Sequence, residues 1–303
     1  MNLRDLPLDE LERSLAGDGV GLDFGVLRVR LRTRVRALAS VVRTVYGAFP
    51  AGDPRGFYDI TARLGPVGGL RRLFRPQVAL WLDGESPFDP FPADTHFPLL
   101  EWGVNWGFAT RGNHHLLLHA GVVERGGRAV VLPALPASGK STLTAALSAR
   151  GFRLLSDEFA VVRLADAALL PIPRAIALKN ESIEVMRAFA PQAVLGPEFP
   201  KTRKGRVAHF APSEASVAAR NVAAVPALVV FPMYTPGTTA EIEPVPKARA
   251  FTRLSVNSFN YEVLGPAGFD AVGALIARCG CYELRFGDLD AAIGEISRLL
   301  ASP

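Results

Sequence analysis

Hydrophobic and polar residues alternate along several segments of the chain, which is typical of half-buried β-strands. In "VLRVRLRTRVR", Leu27, Val29 and Leu31 alternate with arginines, so this segment predicts a strand with one arginine-coated face. In "HHLLLHAGVVERGGRAVVLPA", two apolar runs flank a Gly-Gly pair, which predicts a hairpin. The runs "PALVVFPMY" and "CYELRFGD" predict two later strands.

Other segments repeat apolar residues at the spacing of an α-helix. Helices are predicted for a short N-terminal segment and for "ALASVVRTVYGAF", "KSTLTAALSAR", "ESIEVMRAFA", "KARAFTRLSVNSF", "GFDAVGALIARCG" and "DLDAAIGEISRLLA", the last capped by Asp288. Residues 50–100 are rich in proline, glycine and aromatic residues, which predicts irregular structure. "LLEWGVNWGFAT" predicts a strand or a short helix.

The best-defined unit runs from the hairpin through residues 134–141 into a helix. It then enters "FRLLSDEFAVVRL", a strand interrupted by an acidic pair. Strands and helices alternate in this way in α/β folds. We therefore predict an α/β domain over residues 111–303, preceded by an N-terminal α+β accessory domain over residues 1–110.

The loop between that strand and helix ends in Gly139-Lys140-Ser141, which is the end of the phosphate-binding pattern. Backbone N–H groups and the helix N-terminus attract phosphate oxygens in such loops. The pattern assigns Lys140 to the β- and γ-phosphates of a nucleotide and the Ser141 hydroxyl to Mg²⁺. An ordinary strand–turn–helix with a chance Gly-Lys-Ser is the alternative interpretation.

Two earlier residues of the loop affect this assignment. Ala134 stands where a leading glycine is expected, and alanine is tolerated there if its φ is negative. Pro136 stiffens the loop but has no N–H to donate to phosphate. The predicted nucleotide-binding residues are Ala134, Pro136, Ala137, Ser138, Gly139, Lys140, Ser141 and Thr142.

The acidic pair Asp157–Glu158 interrupts the strand that follows the helix. We expect the chain to return along a strand that neighbours the loop strand, so that the pair lies beside the loop at the carboxyl edge of the sheet, where ligand sites of α/β folds gather. A carboxylate there can bind Mg²⁺ or accept the proton of an attacking hydroxyl. A solvated pair in a turn is the alternative interpretation.

Two basic segments allow both functional and structural interpretations. "KTRKGRVAH" includes Arg206, our candidate for offsetting the charge of a γ-phosphate during its transfer. The same segment is otherwise a solvated loop or a clamp for an acidic partner. The arginine face of residues 28–36 could bind an acidic peptide or nucleic acid, although such faces are more often solvated.

The composition narrows the class of protein. Hydrophobic residues make up 49% of the 303 residues and charged residues 21%, which argues against a disordered chain. The two cysteines, Cys279 and Cys281, are poorly spaced for a disulfide on one strand, so we expect a reduced, cytoplasmic protein. No apolar stretch approaches the ~20 residues of a membrane span, and we expect no membrane insertion.

Together these residues resemble a known family. His119-Ala120 on a strand, the hairpin, Gly139-Lys140-Ser141 and "GFRLLSDEFAVV" are similar to the catalytic domain of HPr kinase/phosphorylase, over roughly residues 112–300. "EWGVNWGFA", "LLSDEFAVV", "KGRVAHFAP" and "CYELRFGDLDAA" resemble the HPr kinase-related kinase A group over most of the chain. The resemblance implies a P-loop kinase domain of the HPr kinase/PEP carboxykinase-like type.

The resemblance also implies an ATP-dependent serine kinase that uses Mg²⁺. It implies that Asp157 is the base for the acceptor hydroxyl and that Glu158 helps Ser141 and Asp157 to hold the metal. It places His119 close to the phosphates. The implied acceptor is a serine of a small protein or peptide, and formation of a homo-oligomer stays open.

Two other functions stay open. The first is a nucleotide-binding module without transfer activity that regulates a partner, because Ala120, Ala134 and Ala137 stand where the family has glycines. The second is a nucleic-acid-dependent ATPase, motivated by the arginine strand and the net charge of +5. Nucleic acid is the less favoured partner, since no aromatic residues interleave with these arginines.

Overall fold

A computed structural model describes residues 1–69, 74–134 and 137–301 of the chain. Their contacts group into two units. Unit 1 comprises Met1–Arg111 and Ala177–Val217, and unit 2 comprises Gly112–Ile176 and Ala218–Pro303. The sequence prediction assigned residues 177–217 to the C-terminal domain, whereas their contacts group them with the N-terminal segment.

The helices of the described residues are, in chain order, α1 (Leu8–Ala16), α2 (Arg36–Val45), α3 (His96–Arg111), α4 (Lys140–Ala149), α5 (Glu181–Phe189), α6 (Glu214–Ala218), α7 (Lys247–Val256), α8 (Tyr261–Leu264), α9 (Pro266–Arg278) and α10 (Leu289–Ala301). Short 3-10 helices span Leu3–Asp5 and Ala93–Thr95. None of the helices in the described ranges is long and apolar enough to span a membrane.

The strands are β1 (Val20–Asp23), β2 (Arg28–Thr33), β3 (Ile60–Pro66), β4 (Gln77–Leu82), β5 (Phe91–Pro92), β6 (His115–Arg125), β7 (Arg128–Pro133), β8 (Arg153–Ser156), β9 (Phe159–Arg163), β10 (Leu169–Leu170), β11 (Ile176–Lys179), β12 (Phe199–Thr202), β13 (Gly205–Phe210), β14 (Val225–Tyr234), β15 (Ala240–Pro244) and β16 (Gly280–Phe286).

Unit 1 contains the arginine strand that the sequence predicts. Strand β2 lies between β1 and β3 in a sheet of order β1-β2-β3-β4-β5. Val29, Leu31 and Thr33 are buried, while Arg28 and Arg32 are exposed. Helix α1 packs against β2 and against α2, so the apolar side chains of this strand face helices and its arginines face away.

One prediction for unit 1 was wrong, and one alternative was decided. Residues 50–100, predicted to be irregular, contain β3 and β4, which pair in antiparallel fashion. Ile60 and Leu64 are buried at alternating positions of β3. Burial of these side chains on one face stabilises the strand despite the nearby prolines and glycines. For "LLEWGVNWGFAT", predicted as a strand or a short helix, the helix is confirmed, because the segment lies within α3, which has 16 residues.

Unit 2 is a mixed sheet with helices on both faces, so the α/β class is confirmed here. The described strands follow the order β10-β9-β6-β7-β14-β16-β15, and β8 also pairs with β6. Helices α7 and α9 pack on one face, and α4 and α10 pack on the other. Strands β7, β14 and β16 run parallel, and β6 runs antiparallel to β7, β8 and β9. The carboxyl ends of β7, β8 and β14 therefore meet at one edge.

Asp288 caps the last helix, as its sequence position predicts. Its Oδ1 accepts a hydrogen bond of 2.7 Å from the backbone N–H of Ala291. A side-chain acceptor at this position satisfies one of the N–H groups that the first turn of a helix leaves unpaired. This cap stabilises the N-terminus of α10, which begins shortly after β16 ends.

Cys279 and Cys281 are free and buried. Burial raises the pKa of the Cys279 thiol to about 12 and also raises the pKa of Cys281. Because the thiolate is the reactive form, we expect the native chain to resist a disulfide reagent at about pH 8, while the denatured chain reacts at both thiols. The measurement is the time course of released reporter thiol, and a fast phase from the native protein would contradict it.

Candidate functional site

Strand β6 lies between the predicted loop and the acidic pair. Gly121 of β6 lies opposite Leu132 of β7. On the other side of β6, β9 pairs up to His119 and β8 pairs from Val122 onward. The residues that join β8 to β9 are Asp157–Glu158, so the pair lies where this ladder is interrupted. The expectation that their strand directly neighbours the loop strand was wrong, because β6 intervenes.

Two local contacts fix the positions of the acidic pair and of α4. The Ser156 hydroxyl accepts a hydrogen bond of 3.1 Å from the Phe159 N–H, which closes the turn around the pair. Gly121 lets α4 approach β6 closely, since a Cβ there would lie 2.3 Å from the Thr144 hydroxyl. The first turn of α4 and the acidic pair therefore meet at the same edge of the sheet.

Asp157 connects the acidic pair to the first turn of α4 through three hydrogen bonds. Lys140 Nζ donates to Asp157 Oδ1 over 3.1 Å and also to the Asp157 main-chain oxygen. The Ser141 hydroxyl donates to Asp157 Oδ2 over 2.8 Å. Lys140 is 8% exposed and Asp157 is 4% exposed, so this ion pair is shielded from water. Removing one charge would leave the other buried without a charge of opposite sign.

The loop before α4 is bent by two residues with positive φ. Gly139 has φ 84° and Ala137 has φ 69°. The positive φ at position 139 favours glycine, and a Cβ at Gly139 would also be crowded, at 3.0 Å from Phe286 Cζ and from Tyr234 Cβ. The Ser138 hydroxyl oxygen is buried and has no hydrogen-bond partner in the described part of the chain. The loop thus offers a polar group that a ligand could satisfy.

Ala137→Gly should stabilise the chain. A left-handed alanine is strained by about 1–2 kcal/mol, and glycine removes that strain but gains entropy in the unfolded state. We expect the free energy of unfolding to rise by about 0.5–1 kcal/mol. Ala274→Gly in the exposed middle of α9 is the matched control, expected to lose about 1 kcal/mol. Urea unfolding measures both, and equal losses would contradict the strain at Ala137.

The other predicted loop residues lie at its two ends. Ala134 is buried directly after β7 and is not among the residues with positive φ, which is the condition under which alanine can replace glycine. Thr142 is half-buried in the first turn of α4. Pro136 lies outside the described residues.

Glu158 and His119 form a second polar contact beside the buried pair. His119 Nε2 lies 3.5 Å from Glu158 Oε2, and both side chains are partly exposed. Asn257 holds the backbone of His119, because the His119 N–H donates to the Asn257 oxygen and Asn257 Nδ2 donates to the His119 oxygen. The ring of His119 also meets Phe259 edge-on, with centroids 5.7 Å apart. These contacts set the position of the imidazole at the sheet edge.

Arg206 belongs to unit 1, whereas Lys140 and Asp157 belong to unit 2. Its guanidinium donates to Glu198 Oε2 over 3.2 Å and to Glu184 Oε1 over 3.4 Å. Two carboxylates of its own unit therefore already offset its charge. To contact a γ-phosphate, Arg206 would have to exchange its contacts with Glu184 and Glu198 for contacts with the phosphate oxygens.

Sequence reasoning missed Tyr234, which borders the loop. Its backbone N–H donates to the main-chain oxygen of Ser138 over 3.0 Å. The available signal was its position at the end of "PALVVFPMY", since a buried parallel strand ends at the ligand edge of an α/β sheet.

The oxygen atoms of the site suit Mg²⁺ that arrives with a nucleotide. In the described ranges, no three His, Cys, Asp or Glu side chains are grouped to hold a metal ion. Ser141 and Asp157 supply one hydroxyl and one carboxylate. Mg²⁺ is commonly bound by one or two such groups together with waters and substrate phosphates.

No protein-family model matches the chain, and no curated protein is significantly similar to it in sequence. The geometry of the site and the resemblance of its motifs are therefore the grounds for a proposed function.

Proposed function

We propose that the chain is an ATP-dependent kinase that transfers the γ-phosphate to a hydroxyl group. The observation that carries the proposal is the contact of Asp157 with both Lys140 and Ser141. A phosphate-loop enzyme needs a cation for the phosphates, and a hydroxyl and a carboxylate for Mg²⁺. These three groups meet at the start of a helix that follows a tight loop. The resemblance to HPr kinase/phosphorylase supports a P-loop kinase domain of that type.

The loop and Lys140 would hold the phosphates. Backbone N–H groups at the start of α4 favour anions, because the helix dipole adds partial positive charge there. Lys140 would leave Asp157 and turn to the β- and γ-phosphates. The buried Ser138 hydroxyl would gain a hydrogen-bond partner. Mg²⁺, held by Ser141 and Asp157 with Glu158 nearby, would supply positive charge next to the phosphates.

Asp157 would accept the proton of the acceptor. The acceptor's hydroxyl oxygen attacks the γ-phosphorus while its proton passes to an Asp157 carboxylate oxygen. The bond from the γ-phosphorus to its bridging oxygen breaks, and ADP leaves with that electron pair. His119, whose Nε2 lies 3.5 Å from Glu158 Oε2, would contact the transferred phosphate. The acceptor class, a serine of a small protein or peptide, depends on the family resemblance.

The test incubates the purified full chain with Mg²⁺, γ-labelled ATP and serine-bearing proteins or peptides. We expect labelled acceptor and ADP in equal amounts. ATP binding without transfer or hydrolysis would favour the regulatory nucleotide-binding module. No ATP binding would contradict the proposal.

A nucleic-acid-dependent ATPase is the second candidate, and the arginine face of unit 1 favours it. Arg32 of β2 lies directly beside Arg63 of β3. Within the described part of the chain, neither guanidinium has a carboxylate within 4.0 Å, and Arg63 lies over the ring of Trp81 at 4.0 Å. Like charges side by side destabilise a sheet, so an anionic partner would relieve them.

ATP hydrolysis measured with and without single- and double-stranded nucleic acid separates the two candidates. Stimulation that Arg32→Glu removes would favour the ATPase. Unchanged hydrolysis, with no nucleic-acid binding at moderate salt, would eliminate it.

A further inference from the structure

Tyr234 borders the loop on the side away from Asp157. It ends β14, which pairs with β7 on the side opposite β6. Its N–H donates to the main-chain oxygen of Ser138, and its Cβ would lie 3.0 Å from a Cβ at Gly139. The loop is therefore flanked by a carboxylate across β6 and by an aromatic side chain on β14.

The ring of Tyr234 is both accessible and held in place. The residue is 51% exposed, unlike most large aromatic residues of unit 2. The buried Phe286 lies beneath it, with ring centroids 5.9 Å apart and planes at 68°. The Thr235 N–H also donates to the Phe286 oxygen over 2.8 Å, which ties the ends of β14 and β16 together. An exposed ring fixed by a buried one is a preorganised stacking surface.

The direction in which a triphosphate binds determines which part of the nucleotide lies next to Tyr234. If the γ-phosphate lies at Asp157, the chain of phosphates crosses the loop, and the nucleoside end lies on the β14 side. We propose that Tyr234 is the stacking surface for the nucleobase. This inference rests on the proposed function. Because every base has a π-face, stacking on Tyr234 holds adenine and guanine alike and does not select between them.

The experiment measures binding of three Mg²⁺ complexes, those of ATP, GTP and inorganic tripolyphosphate, to the full chain by calorimetry. Tyr234→Ala should weaken ATP and GTP by about tenfold to a hundredfold, the usual loss when a base-stacking ring is removed. Tripolyphosphate binding should change by less than about twofold, because the loop and Lys140 remain. Tyr234→Phe should keep nucleotide affinity. Phe269→Ala, at another exposed ring of unit 2, is the control expected to change nothing.

Tyr234→Leu retains apolar volume and distinguishes stacking from loop support. We expect it to lose nucleotide affinity as Tyr234→Ala does, with an unfolding midpoint close to that of the wild type. Equal weakening of ATP and tripolyphosphate in either variant, or unchanged affinity for all three ligands, would overturn the stacking role alone. A wild-type chain that binds neither nucleotides nor tripolyphosphate would overturn the proposed function as well.

Discussion

Asp157→Asn is expected to lower phosphoryl transfer by about 10³-fold while ATP affinity stays within a few-fold of the wild type. Asparagine cannot accept the acceptor's proton, but its amide keeps the size and polarity of the carboxylate. The Lys140 contact to the main-chain oxygen of residue 157 does not depend on the side chain. The loop should therefore keep its conformation, although the buried Lys140 ammonium loses its charged partner and the free energy of unfolding should fall by about 3–5 kcal/mol.

Two measurements check this expectation: single-turnover transfer from labelled ATP and the Kd of ATP. Asp166→Asn is the matched control, because Asp166 is an exposed acid of the same unit that pairs with Arg163. Its transfer rate should equal that of the wild type. If Asp157→Asn were fully active, Asp157 would not be the base, and the carboxylate contact would serve only to position Lys140.

Lys140→Met should lose both nucleotide binding and stability. The substitution leaves the Asp157 carboxylate buried without its ammonium partner. Breaking a buried ion pair at one side typically costs about 3–5 kcal/mol, since the remaining charge keeps its desolvation penalty. We expect a loss of this size in the free energy of unfolding, measured with denaturant and circular dichroism.

The double variant Lys140→Met with Asp157→Asn separates the two losses. Removing the second charge should recover most of the stability, yet nucleotide binding should stay absent because no cation contacts the phosphates. Lys247→Met is the control: Lys247 is an exposed lysine of unit 2 that donates to a main-chain oxygen, and its loss should cost about 1 kcal/mol or less. If Lys140→Met were as stable as the wild type, the pair would not be shielded from water in solution.

Local patterns predicted the parts of the site that depend on neighbouring residues in the chain. Gly139 marked the bend before α4, and the break in "FRLLSDEFAVV" marked the end of β8. The place of β6 between this strand and β7 could not be predicted, because strand pairing depends on contacts far apart in sequence. The contacts of Arg206 could not be predicted for the same reason, since nothing near it in the sequence identified Glu184 as a partner.

Strand length at the centre of unit 2 should be under stricter constraint than side-chain identity. The stretch from His119 to Val122 spans the gap in the ladder with the same number of residues as the segment that carries Asp157. One inserted residue would exchange the two faces of β6 beyond the insertion. Side chains that now face α7 and α9 would then face α4. Relatives of this chain should therefore vary in composition there but keep its length.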